Sequence, residues 1–380
     1  MIRALIAAKR ILVCVGPGGV GKTTTAAAIG ALAARQGRRT LVCTIDPAPR
    51  LADALATGGL GADPQAVSAA ACRALGIPDG GDRLFAVRLD TERTFARLVD
   101  EQVADPEMRR RIFDNTIYRQ ITSTLTGSQE YAAMLALHGF ATGGEFDLIV
   151  LDTPPTANAL DFLDAPARIA LAVDNPVLKW FARPDASGKR LSLQWLRSGG
   201  AMIVRRLAKL VGNRFIDDVG AFLVDFQGAL GGFLGRARAI DELLRGPEVA
   251  FLLVLTPAVA AVDEALFFHG RLRSAGIPLG GFVANRVQRA PGLEDAAALD
   301  RVLRARPELA GLPEATTADA AARLASVGRD FGALYASERR ELGRLAAAAP
   351  GTSITEVPLL DHDVDNLQEL RVVGDHLWAA

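Results

Sequence analysis

The residues best suited to chemistry fall in three short stretches. The first, Gly16-Pro17-Gly18-Gly19-Val20-Gly21-Lys22-Thr23, fits G-x-x-x-x-G-K-T without exception. Glycines let successive backbone N–H groups turn inward and form a nest for phosphate oxygens. A lysine at this spacing reaches the β- and γ-phosphates of a nucleotide, and the next threonine offers its hydroxyl to Mg2+. Gly16 to Thr24 is therefore the expected ATP-binding segment, with Lys22 also acting in catalysis and Thr23 on the metal. The alternative is an ordinary glycine-rich turn from strand to helix.

The second stretch is Ile45-Asp46-Pro47-Ala48, after an apolar run. A carboxylate at the end of a strand can orient the water that attacks a γ-phosphate. Asp46 could also cap a helix that starts after Pro47, and the two roles are compatible. The third is Asp152-Thr153-Pro154-Pro155-Thr156, after the apolar run Phe146 to Leu151. There the carboxylate is expected to hold Mg2+, usually through water. A plain helix cap is the other reading of Asp152. Prolines 154 and 155 stop the strand from passing straight into a helix.

Positioning these groups requires strands that end side by side. Arg10 to Val15, Thr40 to Ile45, Leu84 to Leu89, Phe146 to Leu151, Val249 to Leu255, Leu279 to Ala284 and Ser353 to Val357 are apolar and strand-like. Alanine-rich helical stretches alternate with them, the first from Thr23 to Arg35, ended by Gly37. Such alternation predicts an α/β fold with a mostly parallel central sheet covered by helices on both faces. Between Ala165 and Leu244 the alternation stops and only helical patterns remain. The expected organisation is a core in two parts, 1–164 and 245–380, interrupted by a helical insertion subdomain, 165–244.

Acidic and basic residues balance at 43 each, so no global field draws nucleic acid or an acidic membrane, and no nucleic-acid partner is expected. The cysteines Cys14, Cys43 and Cys72 form no C-x-x-C pair. That argues against a disulfide framework or zinc knuckle and for a reducing compartment. Lys9 and Arg10 interrupt the N-terminal apolar run and no cleavage site follows, unlike a signal peptide. With no membrane-length apolar run, a cytoplasmic protein is expected.

Taken together, GPGGVGKTTT (16–25), TIDPA (44–48) and LDTPPTANALDFLDAP (151–166) resemble the deviant-Walker P-loop ATPases. The closest match is the family of arsenical pump-driving ATPases and guided-entry ATPases for tail-anchored membrane proteins. EVPLLDHDV (356–364) and Thr126 to Tyr131 add weaker likeness; locally, Thr126 and Gln129 also fit a helix capping box. The resemblance implies an ATP-hydrolysing switch. Asp46 would be the water-activating carboxylate of switch I, and Asp152 to Thr156 would open switch II. Asn285, in Val283-Ala284-Asn285-Arg286, matches the asparagine that reads adenine, with a plain turn asparagine as the alternative. Pro358 and Leu359 match the loop that covers the base. A homodimer, or a heterodimer with a related ATPase, is implied. The insertion at 165–244 lies where guided-entry ATPases carry a groove for apolar clients such as membrane proteins, although its helices could instead pack on each other or on a twin subunit.

Three departures qualify the likeness. Pro17 stands where the family usually has a second lysine that reaches the partner subunit's phosphates. With five lysines in the chain, a cation supplied in trans is more readily an arginine, or comes from a different subunit. The arsenite-binding thiols and the zinc-binding C-x-x-C have no counterpart, and Ala157-Asn158 stand in the place of a common Gly-His. Two other functions stay open. A ligase or kinase on this fold would need a polar acceptor pocket beside Asp46. A nucleotide-dependent partner of a related ATPase would bind ATP tightly and hydrolyse little alone.

Overall fold

The computed structural model describes residues 1–78, 82–116, 118–119, 122, 128–154, 225, 232, 235–293, 295–309 and 311–379. In chain order the elements are α1 (Ile2–Ala8), β1 (Ile11–Val15), α2 (Lys22–Arg35), β2 (Thr40–Thr44), α3 (Arg50–Ala54), β3 (Gln65–Ala66) and α4 (Ala69–Ala74). Next come β4 (Leu84–Arg88), α5 (Thr91–Gln102), α6 (Pro106–Asp114), α7 (Ser128–Gly143) and β5 (Leu148–Asp152). After a helix at 235–245 (α8) follow β6 (Val249–Leu255), α9 (Val259–Ala275), β7 (Leu279–Val287), α10 (Ala296–Arg304), α11 (Glu314–Ala348), β8 (Ile354–Pro358) and α12 (Leu367–Ala379).

Strands β1, β2, β5 and β6 are buried at every residue, as expected of strands covered on both faces. Alternate residues of β1 go to opposite cores. Ile11, Val13 and Val15 join a cluster with Phe95, Tyr131 and Phe268. Leu12 and Cys14 join another with Ile29, Leu32 and Val373. Among the described residues, eight strands form one sheet in the order β3-β4-β2-β5-β1-β6-β7-β8, and only the β3–β4 pair is antiparallel. Strands from before and after the interrupted region meet where β6 pairs with β1. This is the fold of a P-loop NTPase, α/β as expected.

Several boundaries differ from the sequence expectation. The short edge strand β3 has no apolar run to announce it. The helix after Asp46 starts at Arg50, with Pro49 as N-cap, so Asp46 does not cap it. Strand β7 runs past Ala284 to Val287, and its register with β8 shifts between Ala284 and Val287. Asn285 and Arg286 therefore lie within an irregular strand end, not after it. Of the expected insertion, only 225, 232 and 235–244 are described. Thr126, Pro155, Thr156, Ala157 and Asn158 lie outside the described residues.

Candidate functional site

The carboxyl ends of β1, β2 and β5 lie together, with Cys14 and Thr44 in register with Asp152. Ligands of parallel sheets bind in the crevice outside such ends. Leaving β1, the chain passes so close to β6 that a Cβ on Gly16 would overlap the Val254 carbonyl oxygen. Gly21 then takes a left-handed conformation, φ +93°, as the N-cap of α2, which glycine adopts without steric cost. The free amides and positive dipole end of α2 border a cleft of about 570 Å3, a size typical of small-ligand sites. Gly18, Gly19, Gly21, Lys22, Thr23 and Thr24 line one side. Asp46, Arg50, Asp53 and Ala54, from the segment after β2, line another, and Thr153, Arg286, Val364 and Asp365 complete the wall.

Lys22 is buried, and its Nζ donates to the carbonyl oxygens of Gly16 (3.0 Å) and Pro17 (2.8 Å). Burial draws its pKa below the usual lysine range, while the Asp152 carboxylate opposes that shift. Thr23 Oγ1 donates to Asp152 Oδ2 at 2.7 Å, and Thr44 Oγ1 donates to the same oxygen at 3.0 Å. The Thr44 hydroxyl also accepts from the Asp46 N–H at 3.2 Å. One threonine thus ties the two candidate aspartate segments together. Thr153 Oγ1 donates to the Cys14 carbonyl oxygen at 2.8 Å and anchors the chain after β5.

Asp152 is 1% exposed. Burial pushes its pKa up to about 6, against the lowering pull of the Thr23 and Thr44 hydroxyls and the Lys22 charge. Its Oδ1 is buried without a hydrogen-bond partner. A buried carboxylate oxygen with nothing to bond, beside a threonine hydroxyl, suits a hard cation, so the residues fit Mg2+. Among the described residues no three His, Cys, Asp or Glu side chains gather to hold a metal by themselves.

Asp46 has both carboxylate oxygens engaged. Oδ1 accepts from the Ala48 N–H at 2.9 Å, and Oδ2 pairs with Arg50 at 3.3 Å. Asn285 Nδ2 donates to the Val20 carbonyl oxygen at 2.8 Å, behind the glycine loop. The neighbouring Arg286 has φ +58°, an uncommon conformation for a non-glycine residue. The irregular end of β7 aims these two residues at the loop, as β-bulges do. Pro358 is in register with Val287, and the Leu359 N–H donates to the Val287 carbonyl oxygen at 2.9 Å. Pro358 and Leu359 thus sit at the strand end next to Asn285 but are not part of the cleft lining.

The sequence reading places Thr153 in the segment after Asp152 but leaves out Thr44, Arg50 and Arg286 as site residues. Arg50 carries a usable signal, since it stands four residues after Asp46. Thr44 and Arg286 depend on strand pairing. Cys14, Cys43 and Cys72 are free and buried, and burial pushes all three thiols up in pKa. No described helix is long and apolar enough to cross a membrane.

Comparison with known proteins bears directly on this loop and its aspartates: residues 9–179 match the family described as anion-transporting ATPase. The chain is 25% identical over 284 residues to the putative arsenical pump-driving ATPase 1 of Aquifex aeolicus, covering 73% of this chain and 63% of that protein. It is 33% identical over 182 residues to the putative arsenical pump-driving ATPase of Prosthecochloris vibrioformis, covering 46% and 40%. It is 28% identical over 155 residues to ATPase ASNA1 homolog 1 of Paramecium tetraurelia, covering 40% and 42%. The chain therefore spans less than two thirds of the length of each of these relatives. The anion-transporting ATPase match takes in the glycine loop, Asp46 and Asp152. Asn285, Arg286 and Pro358 lie beyond it.

Proposed function

We propose that this protein is an ATP-hydrolysing switch of the arsenical-pump and guided-entry type, in which ATP-Mg binding and hydrolysis control assembly with a second subunit. The observation that carries this reading is the joining of Lys22, Thr23 and Asp152 at the mouth of α2, with a buried carboxylate oxygen that has no protein partner. The N–H groups of the glycine loop and α2 hold the phosphates, and Lys22 balances their charge. Thr23 and Asp152 would hold Mg2+, which would supply positive charge against the phosphates. Asp46 orients the attacking water. Catalysis here rests on position and charge. Asn285, with Pro358 and Leu359 beside it, contacts the adenine.

The second subunit is another copy or a related ATPase. Pro17 favours the related ATPase, because this loop offers no lysine at that position to reach across. An apolar client, such as a membrane protein, would bind at 165–244. Three free, buried cysteines suit a reducing cytoplasm.

The test is calorimetry of ATP with and without Mg2+, together with phosphate release and oligomeric mass with ATP, ADP or neither. The wild type should bind ATP in a Mg2+-dependent way, and Lys22→Ala should weaken binding at least tenfold. Pro17→Lys should promote assembly and turnover if the missing lysine is what limits the homodimer. Equal ATP affinity for wild type and Lys22→Ala would overturn the nucleotide reading.

A further inference from the structure

The cations lining the cleft, among the described residues, are Lys22, Arg50 and Arg286. Lys22 is held on loop carbonyls. Arg286 has only a long 3.5 Å contact to the Gly19 carbonyl oxygen. Arg50 differs from both, because its partner is Asp46, the carboxylate that the proposed function assigns to the attacking water. Asp46 Oδ1 is committed to the Ala48 N–H, so Oδ2 is the oxygen that can face a water, and Arg50 Nη1 sits 3.3 Å from it.

We infer that Arg50 is a positioning residue that answers to two anions, the Asp46 carboxylate and the terminal phosphate of a bound triphosphate, and so couples that phosphate to the freeing of Asp46 Oδ2. This rests on the nucleotide reading above. Arg50 lies in the first turn of α3, four residues after Asp46, and its side chain is 67% exposed. An ion pair this open is weak. A guanidinium binds phosphate oxygens through two parallel N–H donors, at shorter range and more strongly than a solvated single contact. The stronger anion therefore takes the guanidinium when a terminal phosphate enters the cleft. Arg50 then serves the transferring phosphate from within the same chain, which bears on a loop whose position 17 is proline. Its charge is already felt at Lys22, whose pKa Arg50 lowers slightly, so the two cations share one electrostatic field. ADP, lacking the terminal phosphate, leaves the Asp46 pair in place.

The test compares a slowly hydrolysed β,γ-imido ATP analogue with ADP, each with Mg2+, by calorimetry on wild type, Arg50→Ala and Arg50→Lys, alongside steady-state kcat and KM for ATP. Arg50→Ala should weaken the triphosphate about tenfold and ADP less than about twofold. Arg50→Lys should recover part of the difference. Loss of α3 stability alone would weaken both nucleotides alike, so an unchanged ratio of triphosphate to diphosphate affinity overturns the inference. If the wild type binds neither nucleotide, the nucleotide reading itself fails, and that is a different result.

Discussion

Replacing Asp152 by Asn separates the cost of burying a charge from the benefit of holding a metal. The native carboxyl has its pKa raised from 3.8 to about 6. A raised acid favours the protonated native state. Its stabilising contribution is complete below the unfolded pKa and is lost as pH rises through the folded one. The full loss is about two pH units at 1.36 kcal/mol each, or ~3 kcal/mol. Roughly half of that, ~1.4 kcal/mol, falls between pH 5 and pH 8, because the native group is still mostly protonated at pH 5. The Asn variant has no such titration. Urea unfolding of both proteins in EDTA, at intervals from pH 5 to pH 8, should show the variant gaining on the wild type by about 1.4 kcal/mol. Adding Mg2+ and ATP should reverse the order at pH 8, because the variant lacks the anionic oxygen for the ion. A difference between the two proteins that stays flat across this range would refute the claim that Asp152 is buried at a cost in charge.

Three further substitutions test the loop and the base site. Gly16→Ala places a methyl against the Val254 carbonyl oxygen and should cost more than ~2 kcal/mol in thermal or urea unfolding. Gly19→Ala has open space but φ +77°, and should cost only the ~1–2 kcal/mol of a left-handed alanine. Asn285→Ala removes the hydrogen bond to Val20 and should cost about 1 kcal/mol of stability. If Asn285 also contacts adenine, the same variant will lose discrimination between ATP and GTP in competition binding. Unchanged discrimination would assign it to the loop alone.

What could be read from the sequence was whatever is local. The glycine loop is eight consecutive residues whose types already state the backbone they need. The strands before Asp46 and Asp152 are apolar runs, because strands buried on both faces leave no room for alternation. The helix α1 went unread, although Ile2 and Ile6 stand one helical turn apart and are both buried. Features that arise from pairing were hidden. Thr44 bridges two aspartate segments only because β2 and β5 align it with Asp152. Asn285 and Arg286 point at the loop only because β7 slips against β8. The helix start was misleading for a different reason: Asp46-Pro47 imitates one, whereas the helix waits for Pro49 and so puts Arg50 in its first turn.

The same division applies to the chemistry. A strand-end aspartate can be found by inspection, but whether it binds a cation depends on how far burial has raised the energy of its charge and on whether an oxygen remains unbonded. Asp152 meets both conditions, through the two cores above and below β5 and through hydroxyls that occupy only Oδ2. Asp46 meets neither, since it is partly open to solvent and both of its oxygens are engaged. The two carboxylates should therefore divide the work, with the buried one drawing the metal and the open one made available only when Arg50 is drawn away.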